Sequence, residues 1–254
     1  MNRVENAGVP NALFTANDLP QGLIAAVSER GAAPPGTASP TEFLARRFAA
    51  ELGVSDLPLV RGTQVHGRRV VTVEERPAEG ETVDAGSCDA LVTRLPGVGL
   101  VVQTADCVPI LLAATDAVGA VHTGWRGAVA NVAGAAAEAL FAITEDPGSV
   151  RAWLGPAIGV CCYEVGEEVF SRFAGEFARS LEDGRFRLDL PAVVRSQLEE
   201  AGIPRERIIH YPSCTMCGGE RFASYRRDGE RAGRMIALIA RLDKRLWAHA
   251  GVSA

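Results

Sequence analysis

The middle of the chain is a succession of short apolar runs separated by turn residues. Runs of this length, rich in Val, Leu and Ile and bounded by Gly, Pro or Asp, are typical of buried β-strands. The pattern predicts strands over residues 22–27, 70–73, 89–93, 99–104, 108–114, 120–122, 150–154 and 208–211. The densest part, between residues 89 and 122, is expected to form the centre of one or more sheets.

Other segments repeat their apolar residues with helical spacing. Leu44 and Phe48 share one face of a helix predicted over residues 41–52, and Gly53 is expected to end it. The pattern predicts further helices over residues 128–143, 165–179, 190–201 and 233–247.

Strands and helices follow one another in an irregular order. A strict alternation would indicate a parallel sheet, whereas here several strands succeed each other directly. The pattern therefore predicts an α+β fold in which mixed β-sheets are flanked by helices. No repeat or low-complexity linker divides residues 1–254, and residues 1–21 are interpreted as a loose N-terminal arm.

Composition and charge narrow the function classes. Of 254 residues, 47% are hydrophobic and 22% are charged, as in ordinary soluble globular proteins. The formal net charge is −5 and no basic stripe is present, so nucleic acid is not an expected partner. No signal peptide or membrane-length apolar segment is visible, which predicts a cytoplasmic protein without a membrane partner. Its six cysteines are then expected to be reduced.

Three metal-ligand side chains stand at the ends of apolar runs. They are His66 in Thr-Gln-Val-His-Gly, Cys107 in Thr-Ala-Asp-Cys, and His122 in Val-His-Thr-Gly-Trp-Arg-Gly. Two imidazoles and one thiolate can hold zinc while its fourth position stays open, which is the arrangement of catalytic zinc sites. Taken singly, each has an ordinary alternative: a solvated or hydrogen-bonded histidine, or a packed cysteine.

A simple hairpin would keep two of these ligands apart. If residues 108–122 turned about positions 116–119, His122 would face residues 111–113 and Cys107 would lie roughly 10–20 Å away. A shared metal therefore requires a bend near residues 106–109 or a different strand register. Asp106, in that bend, could be either a catalytic acid or a structural cap.

Two further stretches carry groups that bind anions or flat rings. Arg126 lies where a helix is expected to begin, and helix N-termini bind anions, so phosphate could sit near a metal on His122. Tyr225 could stack on a base and Arg226 could hold an anion. The alternatives are a surface ion pair for Arg126 and an ordinary polar turn for the other two.

The remaining cysteine motif is Cys214-Thr-Met-Cys217, which could join Cys161 and Cys162 in a four-thiolate zinc site. A zinc ribbon, however, needs two Cys-x-x-Cys pairs. A redox dithiol is not favoured, because the motif does not open a helix after a βαβ strand. The favoured interpretation of these four thiols is local packing.

As a set, the motifs closely resemble one family, in its order, over roughly residues 60–240. It has been called the multicopper polyphenol oxidase (laccase-like) family and the peptidoglycan editing factor family. The matching motifs are Gln64-Val-His-Gly67, Cys88-Asp-Ala-Leu-Val-Thr93, Thr104-Ala-Asp-Cys-Val-Pro109, Ala120-Val-His-Thr-Gly-Trp-Arg-Gly127, Gly155-Pro-Ala-Ile-Gly159, Cys162-Tyr-Glu-Val-Gly166 and Ser224-Tyr-Arg-Arg-Asp-Gly229.

The resemblance implies a single α/β sandwich domain and metal ligands at His66, Cys107 and His122. Members are regarded as purine nucleoside phosphorylases with adenosine deaminase activity. The resemblance therefore implies a zinc enzyme, with copper as an alternative metal. Its expected substrates are purine nucleosides (adenosine, inosine, methylthioadenosine) and phosphate. The oligomeric state does not follow from the sequence. The chain departs from the family at Thr123, usually Ala, and at Ala223, usually Phe.

Two departures in the N-terminal region bear on the substrate. Family members usually carry an Asn-Leu pair after the first strand and an Asn-Arg pair in the first helix. Here residues 31–40 contain no Asn, and the helix has Ala45-Arg46-Arg47.

Three rival functions stay open at this point. Cys107 could be a nucleophile with His66 or His122 as its base, which would make a metal-free cysteine hydrolase. Copper-dependent phenol oxidation is a second possibility, although laccases use many histidines and this chain has four. A role in editing cell-wall precursors is the third.

Overall fold

The computed structural model describes residues 12–15, 19, 22–173, 175–243 and 246. The strands, numbered in chain order, are β1 Ala12–Thr15, β2 Leu23–Ser28, β3 Leu59–Thr63, β4 Val70–Thr72, β5 Thr82–Ser87, β6 Ala90–Thr93, β7 Val98–Thr104, β8 Val108–Ala113, β9 Val118–Thr123, β10 Arg151–Leu154, β11 Glu164–Val165, β12 Ala178–Ser180, β13 Phe186–Leu188, β14 Ile208–His210 and β15 Met235–Arg241. The helices are α1 Pro40–Glu51, α2 Trp125–Val129, α3 Val132–Ile143, α4 Glu167–Phe173, α5 Leu190–Glu200 and α6 Tyr225–Asp228.

Two six-stranded mixed sheets form the body of the molecule. The first sheet has the order β1-β2-β15-β7-β3-β5, with β15 antiparallel to both neighbours and β3 parallel to both of its own. The second sheet has the order β14-β10-β8-β9-β6-β4 and is antiparallel in its centre. A mixed pattern of this kind follows from strands that succeed one another without regular helical crossovers.

The sheets pack face to face and carry helices on their outer faces. Apolar side chains of both sheets, such as Leu100 and Leu111, fill the space between them. Helix α1 covers the outer face of the first sheet through residues such as Phe48, whereas α3 and α5 cover the outer face of the second. Both faces of the central strands are therefore buried, and the predicted fold class, mixed sheets flanked by helices, is confirmed.

The predicted helix over residues 128–143 is two helices. Asn131 stands between α2 and α3 with φ 57°, and its side chain accepts a hydrogen bond from the backbone N–H of Gly134. This local cap starts a new helix and interrupts the alanine-rich stretch.

Of the described residues in the predicted helix over residues 165–179, only Glu167–Phe173 are helical. Val165 belongs to β11, α4 ends at Phe173, and Ala178 begins β12. Gly175 adopts φ 105°, a conformation that ends a right-handed helix. The aromatic residues of this segment pack against the small sheet β11-β13-β12, and Phe170 stacks on Phe186 at 4.2 Å between ring centroids.

The predicted last helix, residues 233–247, is wrong over residues 235–241. Residues Met235–Arg241 form β15, in which every residue from Met235 to Ala240 is buried. A strand buried on both faces shows no polar alternation, so its pattern resembles that of a buried helix. Residues 244, 245 and 247 lie outside the described part of the chain.

Within the predicted N-terminal arm, residues Ala12–Thr15 form strand β1 and pair with β2. The other residues of the arm, apart from 19, lie outside the described ones. No helix among the described residues is long and apolar enough to cross a membrane.

Candidate metal centre

The three predicted ligands lie close together, at a point where the two sheets meet. His66 follows β3 of the first sheet, and His122 lies near the end of β9 in the second sheet. Cys107 stands in the bend that carries the chain from β7 of the first sheet to β8 of the second. The site therefore forms where the chain crosses between the sheets.

The strand register corrects the simple hairpin considered above. Ala113 pairs with Val118, so the turn between β8 and β9 is centred on residues 115–116. Pro109 then faces His122 directly. This register, together with the bend at residues 105–107, removes the separation that a turn at residues 116–119 would have produced.

The donor atoms of the three residues are close enough for one ion. One ligand atom from each of His66, Cys107 and His122 lies within 4.8 Å of the others. Cys107 Sγ is 3.9 Å from His66 Nε2, and the two imidazole rings meet edge to face with centroids 4.8 Å apart. Two imidazoles and a thiolate at such distances fit zinc, and the same donors fit copper.

A buried carboxylate, Asp89, organises these ligands, and sequence reasoning missed it. Its Oδ1 accepts the ring hydrogen bond from His122 Nδ1 at 2.8 Å and the backbone N–H of His66 at 3.0 Å. Its Oδ2 accepts the N–H groups of Val65 at 3.2 Å and Gly67 at 2.7 Å. Because His122 donates through Nδ1, its Nε2 is left to bind a metal, as in carboxylate–histidine–metal triads.

The charges at the site depend on one another. Burial raises the pKa of the Cys107 thiol, but His122 and His66 outweigh it and lower that pKa to about 6. Burial lowers the pKa of His122, but the Cys107 thiolate and the hydrogen bond to Asp89 raise it to about 9. Burial also opposes ionisation of Asp89, yet its hydrogen bonds with His122 and Gly67 hold its pKa below the usual value. Without a metal, the site is therefore a thiolate–imidazolium pair supported by a carboxylate.

Backbone geometry shapes the ligand cluster. A Cβ on Gly124 would lie 2.8 Å from His66 Cδ2 and 3.0 Å from Cys107 Sγ, so only glycine fits there without displacing a ligand. His66 and Asp106 have φ of 60° and 86°, which is uncommon for residues with side chains. Such conformations persist only where surrounding contacts hold them, and Asp89 supplies these contacts for His66.

Asp106 has the contacts of a structural residue. Its Oδ1 accepts a hydrogen bond from the Thr215 hydroxyl at 2.6 Å, and its Oδ2 accepts the backbone N–H of Arg226 at 2.6 Å. Its own carbonyl accepts the N–H of Ile158 at 2.9 Å. Asp106 thus fixes the bend before Cys107 and caps the first turn of α6.

A cavity of about 430 Å³ opens onto the three ligands. Its volume lies in the range of small-molecule sites. Besides the ligands and Asp106, its walls contain two tyrosines, two arginines and two glutamines among other residues, namely Tyr163, Tyr225, Arg226, Arg234, Gln64 and Gln103. The open side of the ligand set therefore faces a space that offers flat rings, cations and amides.

The predicted ring- and anion-binding residues have different surroundings. Tyr225 is 54% exposed and lies on the cavity wall. Arg226 also lines the cavity, donates to the Glu164 carbonyl at 2.8 Å and lies 5.4 Å from the centre of the Tyr163 ring. Arg126 is exposed, stacks 4.3 Å over the Trp125 ring and is not among the residues that line this cavity.

The N-terminal departures lie beside a second cavity. Residues of the 31–40 loop line it, and Gln103 and Arg234 border both cavities. Arg46, in the first helix, donates to the Leu57 carbonyl at 2.8 Å and to the Thr82 hydroxyl at 2.8 Å. Arg46 therefore holds the first sheet and does not face the ligands.

The fold and the site define a class of protein: two mixed sheets packed face to face, with an open His-Cys-His ligand set where the chain crosses between them. A family model described as multi-copper polyphenol oxidoreductase laccase matches residues 42–242. The match covers most of the chain, and the chain belongs to this family, which confirms the resemblance seen in its motifs.

Relatives and a solved structure agree with this assignment. A purine nucleoside phosphorylase from Xylella fastidiosa is 38% identical over 183 residues, 69% of this chain and 69% of the relative. A protein named adenosine deaminase RL5, from an unknown prokaryotic organism, is 35% identical over 207 residues, 76% of this chain and 79% of the relative. The crystal structure of YlmD from Geobacillus stearothermophilus superposes with a TM-score of 0.75 at 30% identity, over 88% of this chain and 93% of that chain.

Proposed function

We propose that this chain is a zinc-dependent enzyme that cleaves purine nucleosides with phosphate and also deaminates adenosine. The observation that carries the proposal is the meeting of the His66, Cys107 and His122 donor atoms within 4.8 Å at the floor of a small-molecule cavity. Relatives named purine nucleoside phosphorylase and adenosine deaminase support the same reaction classes. Adenosine, inosine and methylthioadenosine are the substrates we expect.

The ligand set supports zinc as the metal, with copper as the alternative. Catalytic zinc sites use three protein ligands and leave one position for substrate or water, and the three residues that would hold the ion here all line the cavity. When bound, such an ion supplies a Lewis acid and lowers the pKa of water. Asp89 keeps His122 in the tautomer that presents Nε2.

The cavity walls provide for the other parts of a nucleoside and for phosphate. Tyr163 and Tyr225 offer aromatic faces against which a purine can stack. Burial raises the pKa of Tyr163 to about 12, so its phenol stays neutral and able to donate a hydrogen bond. Arg226 and Arg234 bring guanidinium groups, which bind phosphate oxygens in a forked geometry.

Both reactions need an oxygen nucleophile held beside the ligand cluster. In phosphorolysis a phosphate oxygen bonds to ribose C1′ while the electron pair of the C1′–N9 bond leaves with the purine. Positive charge develops on the ribose and negative charge on the base, so an adjacent anion and a hydrogen-bond donor to the base both lower the barrier. In deamination water adds to purine C6 and ammonia leaves. One cavity can therefore serve both reactions by exchanging the nucleophile.

The test is a product assay with the purified full chain. Adenosine with phosphate is expected to give adenine and ribose 1-phosphate, and adenosine in water is expected to give inosine and ammonia. Chelation and Cys107→Ala are each expected to abolish both reactions. Zinc is expected to restore the chelated enzyme but not the variant.

Cys88→Ala serves as the control, because it removes a buried thiol that does not line the cavity. The control variant is expected to stay active. Phosphorolysis retained by Cys107→Ala would reject the assignment of the site. Activity restored by copper and not by zinc would reject zinc as the metal.

A metal-free cysteine hydrolase is the second candidate, and the charge state of the site favours it specifically. With the pKa of Cys107 lowered to about 6, the thiolate is present at neutral pH without any metal. His122 is hydrogen-bonded to Asp89, an arrangement found in nucleophile–base–carboxylate triads. Such an enzyme would keep its activity after chelation, whereas the zinc enzyme would lose it.

Phenol oxidation and cell-wall editing remain alternatives of lower rank. The family description names polyphenol oxidoreductases, but the chain contains four histidines, fewer than several coppers would need. The same product assay run with phenols and with muramyl precursors compares these substrates with adenosine directly.

A further inference from the structure

Four cysteines outside the candidate metal centre lie together in the folded chain. Cys161, Cys162, Cys214 and Cys217 each offer a sulfur, and all four sulfurs lie within 4.8 Å of one another. The two pairs are some fifty residues apart in sequence. They come together because Ala157 and Cys214 form an isolated parallel bridge between two loops.

Backbone contacts in the two loops hold the four sulfurs close to one another. The N–H of Gly218 donates to the Cys214 carbonyl at 2.8 Å, and a Cβ on Gly218 would lie only 2.4 Å from that oxygen. This tight turn folds Cys217 back beside Cys214. The N–H of Gly159 donates to Cys214 Sγ at 3.3 Å, a hydrogen bond that favours a thiolate.

The sulfur spacing matches a single tetrahedral ion. Zinc–sulfur bonds of about 2.3 Å place neighbouring sulfurs of a tetrahedron about 3.8 Å apart. Cys161 Sγ and Cys217 Sγ are 3.7 Å apart. The Cys214-x-x-Cys217 spacing is one that zinc sites use, and tetrahedral four-sulfur sites take zinc or iron.

Two arginines hold the loops that carry the four cysteines. Arg187 donates from one side to the carbonyls of Val160 and Cys161. From the other side, Arg227 donates to the carbonyls of Thr215 and Met216 at 2.9 and 3.2 Å. Both loops that carry the cysteines are thus held by guanidinium groups. Each guanidinium also pairs with a carboxylate, Arg187 with Glu164 at 2.8 Å and Arg227 with Asp228 at 2.9 Å.

We infer that Cys161, Cys162, Cys214 and Cys217 form a second, structural zinc site. All four positions are filled by protein, so the ion has no vacant side and no catalytic role. The inference does not depend on the proposed function, since none of these residues lines the candidate cavity.

The site would stabilise one wall of the cavity. Tyr163, which lines the cavity, directly follows Cys162. Thr215 directly follows Cys214, and its hydroxyl donates to Asp106, the residue before Cys107. The second zinc therefore ties together the two loops that position this tyrosine and the bend that carries the thiolate ligand.

Zinc content tests the inference. The full chain is produced with zinc in reducing buffer, and the number of metal ions per chain is measured by inductively coupled plasma mass spectrometry. Two zinc ions per chain are expected, falling to one in Cys217→Ser, one in Cys107→Ser and none in the double variant. In Cys107→Ser, a strong chelator is expected to lower Tm, and in the double variant it is expected to have no effect.

Cobalt in the wild-type chain provides a readout that does not require a variant to fold. Four-thiolate cobalt gives intense sulfur-to-metal absorption, which zinc is expected to abolish by displacement. The wild-type chain could instead bind one zinc, which Cys107→Ser keeps and Cys217→Ser loses. That result would support the four-cysteine site and reject the proposed catalytic zinc. Any of four results would overturn the inference. They are a zinc content that Cys217→Ser does not change, iron bound in place of zinc, a Cys161–Cys217 disulfide in the reduced preparation, and weak cobalt absorption.

Discussion

Replacing Asp89 with asparagine tests how the candidate metal centre is held together. The carboxylate is 1% exposed and accepts four hydrogen bonds, three from the backbone of residues 65–67 and one from His122. An asparagine has one acceptor oxygen. Whichever way its amide is turned, two of the four donors face an NH₂ group.

The magnitude follows from these contacts. A hydrogen bond to a charged group contributes about 1.5–3 kcal/mol, so losing two of them costs about 3–6 kcal/mol. Breaking a buried ion pair costs a similar amount. For a chain of this size that loss lowers Tm by about 10 °C. Loss of the carboxylate that orients a metal-binding histidine is expected to weaken metal binding about 10–100-fold.

Two measurements check Asp89→Asn. Thermal unfolding of the metal-free protein gives the change in Tm, and competition with a chelator of known affinity gives the zinc dissociation constant. Asp84→Asn is the matched control, because that carboxylate pairs with Arg61 at 2.8 Å but is 33% exposed. Surface pairs contribute about 0–1 kcal/mol, so the control is expected to keep both stability and metal affinity.

The reasoning would be refuted if Asp89→Asn bound zinc as tightly as the wild type and unfolded within 2 °C of it. That result would mean that the ligands are held by packing, and that the hydrogen bonds to Asp89 add little.

Three further predictions concern neighbouring residues. Gly124→Ala forces a Cβ within 2.8 Å of His66 Cδ2, and because overpacking costs about 1–3 kcal/mol, zinc affinity is expected to fall about 10–100-fold in a chelator competition assay. In metal-stripped protein, Cys107 is expected to reach half-maximal alkylation near pH 6, because its pKa is lowered to about 6 and the thiolate persists above that pH. Thr123→Val is expected to raise Tm by about 2–4 °C, because it removes a buried hydroxyl that has no hydrogen-bond partner among the described residues.

Each of these predictions has a control in the chain. Gly166→Ala should not change zinc binding, since its added Cβ has no atom within 4 Å from the described residues other than its chain neighbours. His122→Asn should move half-maximal alkylation of Cys107 to higher pH, and an unchanged profile would contradict the proposed pairing. Thr93→Val should lower Tm, because this hydroxyl donates to the Val73 carbonyl at 2.8 Å. Stabilisation by both threonine variants would show that the hydroxyl's lack of a partner is irrelevant.

The three candidate ligands could be selected from the sequence because each stands where an apolar run meets polar residues. Their convergence could not, because it depends on a strand register set by a turn at residues 115–116. A shift of that turn by two positions moves the partner of His122 by four residues, from 113 to Pro109. Asp89 could not be found by local pattern either: its four donors come from other parts of the chain. The one available signal was an ionisable residue placed directly before a wholly buried strand.

The error over β15 has a physical cause. Strand β15 is apolar at every buried position, and a wholly buried segment gives neither the alternation of a surface strand nor the polar face of a surface helix. The clustering of the four cysteines could not be predicted for a related reason. Sequence spacing describes ligands within one loop, whereas Cys161 and Cys214 approach each other through tertiary structure.

The position of β15 has a consequence for biosynthesis. This strand, residues 235–241, fills the gap between β7 and β2, which lies some two hundred residues earlier in the chain. Until the ribosome has added residue 241, the first sheet is divided and both neighbouring strands present open edges, which are sites of aggregation. Contacts that span more than two hundred residues also slow folding. The first sheet is thus expected to complete its folding only after β15 has been synthesised, and the nascent chain to need protection by chaperones until then.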